Sequence, residues 1–153
     1  MYWCKIIKAP PLHEKHHIIG FEALLTRDIN TKKSLVHHMT LFECKISSFP
    51  GSDSSSWDVW VKSNGAVCNS NMLTPRDWDS CITPVASWGV GSTGQFLPEH
   101  VGIPFGDSNK QKYYLLEIHY DNANKKRFVD HSGFRLHYTK ELRQHDGKEI
   151  VIQ

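Results

Sequence analysis

Short runs of branched and aromatic residues, separated by polar or glycine-bearing breaks, are the feature that most constrains how this chain can fold. Such runs are typical of β-strands, whereas apolar residues at helical spacing are hard to find. Many short antiparallel strands pack most naturally as two facing sheets. The sequence therefore predicts an all-β sandwich. The predicted strands are residues 3–7, 17–25, 35–46, 113–120, 134–142 and 149–152.

The breaks between these runs predict turns and loops. Residues 28–30, 121–124 and 146–147 contain the Asp, Asn and Gly that favour turns. The segment 47–57 holds a Phe-Pro-Gly triplet and a run of three serines, and we interpret it as a surface loop. Prolines and glycines between residues 89 and 106 divide that region into one or two strands with bends.

Length and charge fit a single soluble domain over residues 1–153. A chain of this size can bury roughly two-thirds of the surface that its unfolded form exposes. The 18 Lys and Arg against 16 Asp and Glu leave a net charge of +2, and the basic residues are scattered. Nothing in this pattern calls for nucleic acid or a membrane surface. No apolar stretch approaches the ~20 residues of a membrane helix, and the first residues lack the apolar core of a signal peptide.

Four cysteines, at positions 4, 44, 68 and 81, permit two interpretations. Free buried thiols are one, and their lack of CxxC spacing argues against a zinc site. Their wide separation also suits long-range disulfides in an oxidising compartment, which would require the N-terminus to be truncated or processed. Of the three possible pairings, the residues alone select none.

Ten histidines are an unusual number for 153 residues, and four of them form the adjacent pairs His16-His17 and His37-His38. Imidazole is a preferred ligand of copper and zinc, so a metal site is worth considering. An isolated histidine is more commonly a surface or hydrogen-bonded residue. We interpret the remaining histidines outside the strand 113–120 in this way: His13, His100, His131, His137 and His145.

The pair His37-His38 lies in a run whose composition predicts a buried strand. Burying two imidazoles is costly unless their nitrogens find partners. Adjacent side chains of a regular strand point to opposite faces, so one metal can take both only at a strand end or a distortion. We expect one ring to bind through Nδ1 and the other through Nε2.

A third ligand is predicted at His119. Alternation in the strand 113–120 places Leu116, Ile118 and Tyr120 on one face, and Glu117 and His119 on the other. Three histidines without a carboxylate or thiolate suit redox-active copper, although three histidines and a water also describe a catalytic zinc. Spacing alone does not choose between the two metals.

Six distinctive segments follow one another along nearly the whole chain. They are Tyr2-Trp3-Cys4-Lys5; Lys15-His16-His17-Ile18-Ile19; Val36-His37-His38-Met39 with Phe42-Glu43-Cys44; Phe96-Leu97-Pro98-Glu99 with Gly102-Ile103-Pro104-Phe105-Gly106; Leu116-Glu117-Ile118-His119-Tyr120; and Ser132-Gly133-Phe134-Arg135-Leu136-His137-Tyr138-Thr139. In this order they resemble one family, the copper type II, ascorbate-dependent monooxygenases of the dopamine beta-hydroxylase, tyramine beta-hydroxylase and monooxygenase-X group. The peptidylglycine alpha-hydroxylating monooxygenases are less similar in the segment 15–19.

The resemblance implies a jelly-roll-like β-sandwich, the first of two copper domains that face each other across a cleft. Its copper is held by His37, His38 and His119 and passes electrons from ascorbate. A second copper, held by two histidines and a methionine in the other domain, hydroxylates an amine such as dopamine or tyramine at the beta carbon. That second set has no counterpart here, so we expect a fragment that is inactive alone, with no catalytic residue beyond the copper ligands.

Further expectations come from the same resemblance. Cys4 pairs with Cys68 and Cys44 with Cys81, and each bond would contribute ~4 kcal/mol on a chain-entropy estimate. Tyr2 either approaches the copper site or is a surface tyrosine packed against the first strand. The pair His16-His17 has no known ligand role and is interpreted as structural or near an interface. The full-length protein is expected in the secretory pathway, extracellular or in secretory vesicles. Its expected partners are its second copper domain, an amine substrate and further copies of itself.

Two other functions stay open at this stage. A non-catalytic secreted copper-binding or interaction module would keep the sandwich without the chemistry. A zinc hydrolase would need a general base beside the three histidines, and Glu117 is the only nearby candidate.

Overall fold

A computed structural model of the chain describes residues 1–27, 33–45, 54–68, 80–106 and 111–150. Within these ranges it contains ten strands and one helix, and the predicted all-β sandwich is confirmed. None of the helical structure there has the length and apolar character needed to cross a membrane. The elements are β1 (Tyr2–Lys8), β2 (Lys15–Leu24), β3 (Val36–Cys44), α1 (Ser54–Lys62), β4 (Ala66–Val67), β5 (Cys81–Gly89), β6 (Gln95–Phe96), β7 (Val101–Gly106), β8 (Tyr113–Tyr120), β9 (Gly133–Thr139) and β10 (His145–Asp146).

Two five-stranded sheets form the sandwich. The first has the order β4-β1-β8-β3-β5 and is antiparallel throughout. The second is built on β2, which pairs with β7 and β6 along successive parts of its length and also with β9, while β10 joins β7 in parallel. The central strands β8 and β3 of the first sheet are therefore held on both edges, which fixes the positions of their side chains.

The main core lies between the two sheets. It is made by the inward side chains of both sheets, and alternation along the strands places every second residue there. Ile18, Phe21 and Phe105 of the second sheet pack against Met39, Leu116 and other residues of the first. The predicted apolar face of β8, with Leu116, Ile118 and Tyr120, belongs to this core.

A second, smaller core covers one end of the outer face of the first sheet. Helix α1 places Trp57, which is fully buried, against Tyr113 with 5.5 Å between ring centroids. Leu115 packs into the same cluster, together with the cysteines of two disulfides, Cys4–Cys68 and Cys44–Cys81. These are the two pairings that the family resemblance implies. Among the residues that the structure describes, the outer face is thus closed at this end and uncovered at the other, where β3, β8 and β1 carry polar side chains.

The helix corrects one prediction. We expected residues 47–57 to form a surface loop, but Ser54–Lys62 is helical and Trp57 is buried. The serine run resembles a loop, yet the buried indole three residues later anchors the segment to the sheet, so tertiary packing overrides the weak helix propensity of serine. Residues 47–53 lie outside the described ranges, as do 28–30.

Two other elements differ from the predictions. The predicted strands do not include Cys81–Gly89, which contains Pro84 and forms β5. This strand lies at the edge of the sheet, where proline is tolerated, and register shifts flank the pairing of Pro84 with Phe42. The expected strand 149–152 is not present in its described part, 149–150. Instead His145–Asp146, at the predicted turn 146–147, forms β10 by pairing with Val101 and Gly102.

Candidate metal centre

A β-bulge brings His37 and His38 to the same face of the first sheet. Val36 pairs with Tyr120 and His38 with His119, so His37 is an extra residue without its own partner on β8. Val36 and Met39 both point into the core, which leaves the two histidines between them facing outward. Both rings can reach one metal only where the strand is distorted, and this bulge is such a distortion.

The third imidazole is brought in by strand register. His119 of β8 is paired with His38 on one edge and with Tyr2 of β1 on the other. We call His37, His38 and His119 the histidine cluster. Ring centroids are 5.3 Å apart for His37 with His38 and with His119, and 4.7 Å apart for His38 with His119. One nitrogen of each ring lies within 4.8 Å of the others, and the Nδ1 atoms of His37 and His38 are 3.0 Å apart.

Electrostatics favour the neutral, metal-binding form of these rings. Loss of solvation, followed by the proximity of His119 and His37, lowers the pKa of His38 below its ordinary value. Loss of solvation also lowers the pKa of His119, and the proximity of His37 adds to this shift. Metal ligands must be deprotonated, so both shifts keep these imidazoles available at neutral pH.

One atom of the cluster lacks a partner that the described protein atoms could supply. Nδ1 of His119 is buried and has no hydrogen-bond partner among them. A buried polar atom without a partner costs roughly 1–3 kcal/mol. One nitrogen of each of the three rings also converges on a common point, and a bound metal ion is a partner that such converging nitrogens can share. The residues present therefore fit a metal of the copper or zinc type.

Tyr2 forms one wall of the cluster. Its ring stacks on His119 with centroids 4.3 Å apart and 10° between planes, and its edge approaches His38 at 5.7 Å. The side chain stays 42% exposed, so it covers the cluster without sealing it. Tyr2 is thus a surface residue that also contacts two of the three rings.

Glu117 does not join the histidine cluster. Its carboxylate lies within 4.8 Å of the sulfurs of Cys4 and Cys68, which are bonded to each other and are not metal ligands. Burial raises the pKa of Glu117. Glu117, the candidate general base of a zinc hydrolase, thus lies against the Cys4–Cys68 disulfide, and it precedes His119 by two residues on β8.

The other histidines find partners in the protein or face solvent. His17 is fully buried: Nε2 bonds Asp146 at 2.9 Å, and Nδ1 accepts the backbone N–H of Arg143 at 2.9 Å. This supports the structural interpretation of the pair His16-His17. Sequence reasoning missed Arg143 and Asp146, because their contact with His17 spans most of the chain. Among the rest, His137 bonds Glu22, His16 bonds the carbonyl of Glu14, His100 packs on His145, and His13 and His131 are exposed.

The fold and the cluster together define a class of protein. Residues 1–127 match the family model described as copper type II ascorbate-dependent monooxygenase, N-terminal domain, and the chain belongs to this family. Among curated proteins it is 61% identical to MOXD1 homolog 1 of Drosophila melanogaster over 99% of the chain. It is 36% identical to DBH-like monooxygenase protein 1 of Mus musculus over 97% of the chain, and 36% identical to dopamine beta-hydroxylase of Canis lupus familiaris over 93%. It spans only 21 to 22% of these relatives' own length.

Proposed function

We propose that this chain is the copper-binding, electron-transfer domain of an ascorbate-dependent monooxygenase, and that His37, His38 and His119 hold one copper ion. The observation that supports this most directly is the convergence of three imidazoles, one nitrogen each within 4.8 Å, with no thiolate or carboxylate among them. Imidazole ligands suit both oxidation states that a copper electron carrier must visit.

Each member of the site has a distinct task. The bulge at His37 aims two adjacent rings at one point, and the pairing of β3 with β8 fixes the third. Tyr2 stacks on His119 and limits its rotation, as residues around metal ligands commonly do. When bound, copper supplies one-electron chemistry by cycling between Cu(II) and Cu(I). The protein supplies the neutral nitrogens and leaves part of the site exposed.

The proposal extends to the larger protein. A second copper domain of the same polypeptide would use the electrons to hydroxylate an amine, such as dopamine or tyramine, at the beta carbon with one atom of O₂. Names of the relatives and the shared family support this reaction class. Two disulfides support folding in the secretory pathway, because such bonds persist in oxidising compartments.

A second function is a copper-binding or interaction module without redox activity. The observation that favours this function is the exposure of His37 at the outer face of the sheet. A metal ion could reach the three rings there without a second domain. The two functions differ in whether ascorbate reduces the bound ion and whether the electron is passed on.

Copper titration of the purified chain tests the proposal. We expect one Cu(II) per chain, and an electron paramagnetic resonance spectrum with coupling to imidazole nitrogens that disappears when ascorbate is added. His37→Ala and His38→Ala should each weaken binding, whereas His137→Ala, which removes a histidine bonded to Glu22, should not. Equal affinity in all these variants would refute the ligand assignment. A bound ion that ascorbate does not reduce would favour the redox-inactive module.

Peptide mapping under non-reducing conditions tests the proposed compartment. Protein made in an oxidising compartment should yield only the pairs Cys4–Cys68 and Cys44–Cys81. Four titratable thiols in folded protein purified from its natural source would contradict a secretory location.

A further inference from the structure

A cavity of about 490 Å³ lies on the opposite side of the first sheet from the histidine cluster. Its walls include the aromatic side chains of Trp3, Tyr120 and Phe128 and the cationic side chains of Lys126 and Arg127. This volume lies within the usual range for small-molecule sites. Aromatic walls with a few charged groups are also typical of such sites.

Residues that line the cavity are close neighbours, along the chain, of residues in the histidine cluster. Tyr120 follows His119 directly, and alternation places their side chains on opposite faces of β8. Leu35, another wall residue, accepts the N–H of Asp121 at 2.8 Å and leads into β3 two residues before His37. A ligand in the cavity is therefore separated from the cluster by the thickness of one sheet.

The charge of the cavity favours a small anion. Lys126 and Arg127 are exposed, and no carboxylate in the described ranges forms an ion pair with them. Among the described residues of the wall the one acid is Asp130, which accepts hydroxyl hydrogen bonds from Tyr120 and Ser132, both at 2.6 Å. Its charge is thus partly offset by two donors, while the described residues supply no such partner for the two cations.

The loop that carries the cations is held in shape. The side chain of Asn122 donates to the carbonyl of Lys126 and accepts the N–H of Lys126, both at 2.9 Å. Lys125 adopts a left-handed backbone with φ of 49°, and its N–H bonds the carbonyl of Asn122. A loop fixed in this way loses little entropy when a ligand binds.

We propose that this cavity binds ascorbate, with Lys126 and Arg127 attracting its negative charge and Trp3 and Phe128 flanking its flat ring. The proposal rests on the proposed copper function and identifies where its reductant docks. Ascorbate is a monoanion at neutral pH, and its remaining hydroxyls are donors suited to the Asp130 carboxylate. On oxidation it gives up one electron, which reduces Cu(II) to Cu(I), and one proton, which passes to water, and it leaves as the ascorbyl radical anion.

Binding is measured first on the metal-free chain under nitrogen, from NMR chemical shifts as ascorbate is added. We expect saturable shifts at the Trp3 indole, Asn122 and Phe128. The double variant Lys126→Ala/Arg127→Ala should weaken binding about fivefold or more, the combined effect of two exposed charge contacts. A charge-matched control, Lys140→Ala/Lys148→Ala, changes two exposed lysines that do not line the cavity and should bind as the parent chain does.

Stopped-flow reduction of the copper-loaded chain then tests whether ascorbate reduces the copper from the cavity. The rate should saturate with ascorbate, and the double variant should shift the half-saturating concentration by the same factor. Reduction by a neutral hydroquinone should be equal in parent and variant. Copper reduction that stays linear in ascorbate and is unchanged in the double variant would overturn the docking site while leaving the copper function intact. Failure to bind copper at all would instead refute the proposed function.

Discussion

Two histidines, one in each sheet, show how a structural imidazole differs from a proposed metal ligand. His17 is fully buried in the second sheet, and both its nitrogens are satisfied by Arg143 and Asp146. His119 is less buried, yet its Nδ1 has no partner within the described protein and its neighbours are two more imidazoles. Burial alone therefore does not distinguish the two roles of a histidine. Whether the protein supplies hydrogen-bond partners for both ring nitrogens is the more informative criterion.

The largest expected effect is on copper affinity in His119→Ala. We expect the dissociation constant for copper to rise more than about a hundredfold, because loss of a direct ligand should exceed the 10 to 100-fold cost of losing a supporting residue. The metal-free variant should unfold at a denaturant concentration close to the parent's, since the unpaired Nδ1 is removed along with the ring. A competition titration with a copper chelator measures the first quantity. A copper affinity unchanged within a factor of two would show that His119 is not a copper ligand.

The converse change, His17→Ala, should affect stability and spare the metal. Removing the ring leaves a cavity and deprives Asp146 and the Arg143 N–H of a partner, which costs about 3 kcal/mol. Urea unfolding of the metal-free chain measures this loss. Copper stoichiometry should remain one per chain, and a variant that unfolds normally but loses copper would assign His17 to the metal site.

A smaller effect is expected at Tyr2. Truncation in Tyr2→Ala removes the stack on His119 and should weaken copper binding about tenfold, within the range of an aromatic pair. Tyr2→Phe keeps the stacked ring and should bind as the parent does. If both variants weakened copper equally, the hydroxyl rather than the stack would be the important group.

The smallest effect is a pH dependence at Asp146. Hydrogen bonds from Lys15 and His17 lower the pKa of this carboxyl below its ordinary value. A lowered pKa means that the carboxylate stabilises the folded chain above the pKa of the unfolded state, near 4, and that this contribution is lost as pH falls through the folded-state value. Asp146→Asn should therefore be less stable than the parent at pH 7, and the difference should shrink towards pH 3. A difference that is constant across this range would show that the ionised form is not what matters.

The sequence predicts the strands that carry the site because their signals are local. Branched and aromatic residues indicated β3 and β8, and the adjacent pair His37-His38 required a distortion that the bulge supplies. The helix and β5 were not predicted, because both depend on distant partners. Trp57 is buried in a cluster that Tyr113 and Leu115 of the distant strand β8 help to form, and Pro84 is tolerated because β5 is at an edge.

The polar details of the site were beyond local patterns for the same reason. The residues near His17 in sequence do not predict its contact with Arg143, and those near His119 do not predict the stacking of Tyr2. The cavity behind β8 combines Trp3 with the loop around Lys126, which only the antiparallel pairing of β1 and β8 brings together. Such contacts follow from sheet register, which the sequence constrains but does not state.

The wide separation of the proposed copper ligands along the chain would affect how the protein acquires its metal. His37 and His38 are neighbours, but His119 reaches them only after β8 has paired with β3, a contact between distant segments of the kind that forms slowly. If the three histidines hold copper as proposed, a nascent chain would offer the ion two ligands early and the complete set only at the end. Copper held by all three rings would bind the folded chain and not the unfolded chain, and would therefore stabilise the folded form. The copper supply would then affect the yield of native protein as well as its redox state.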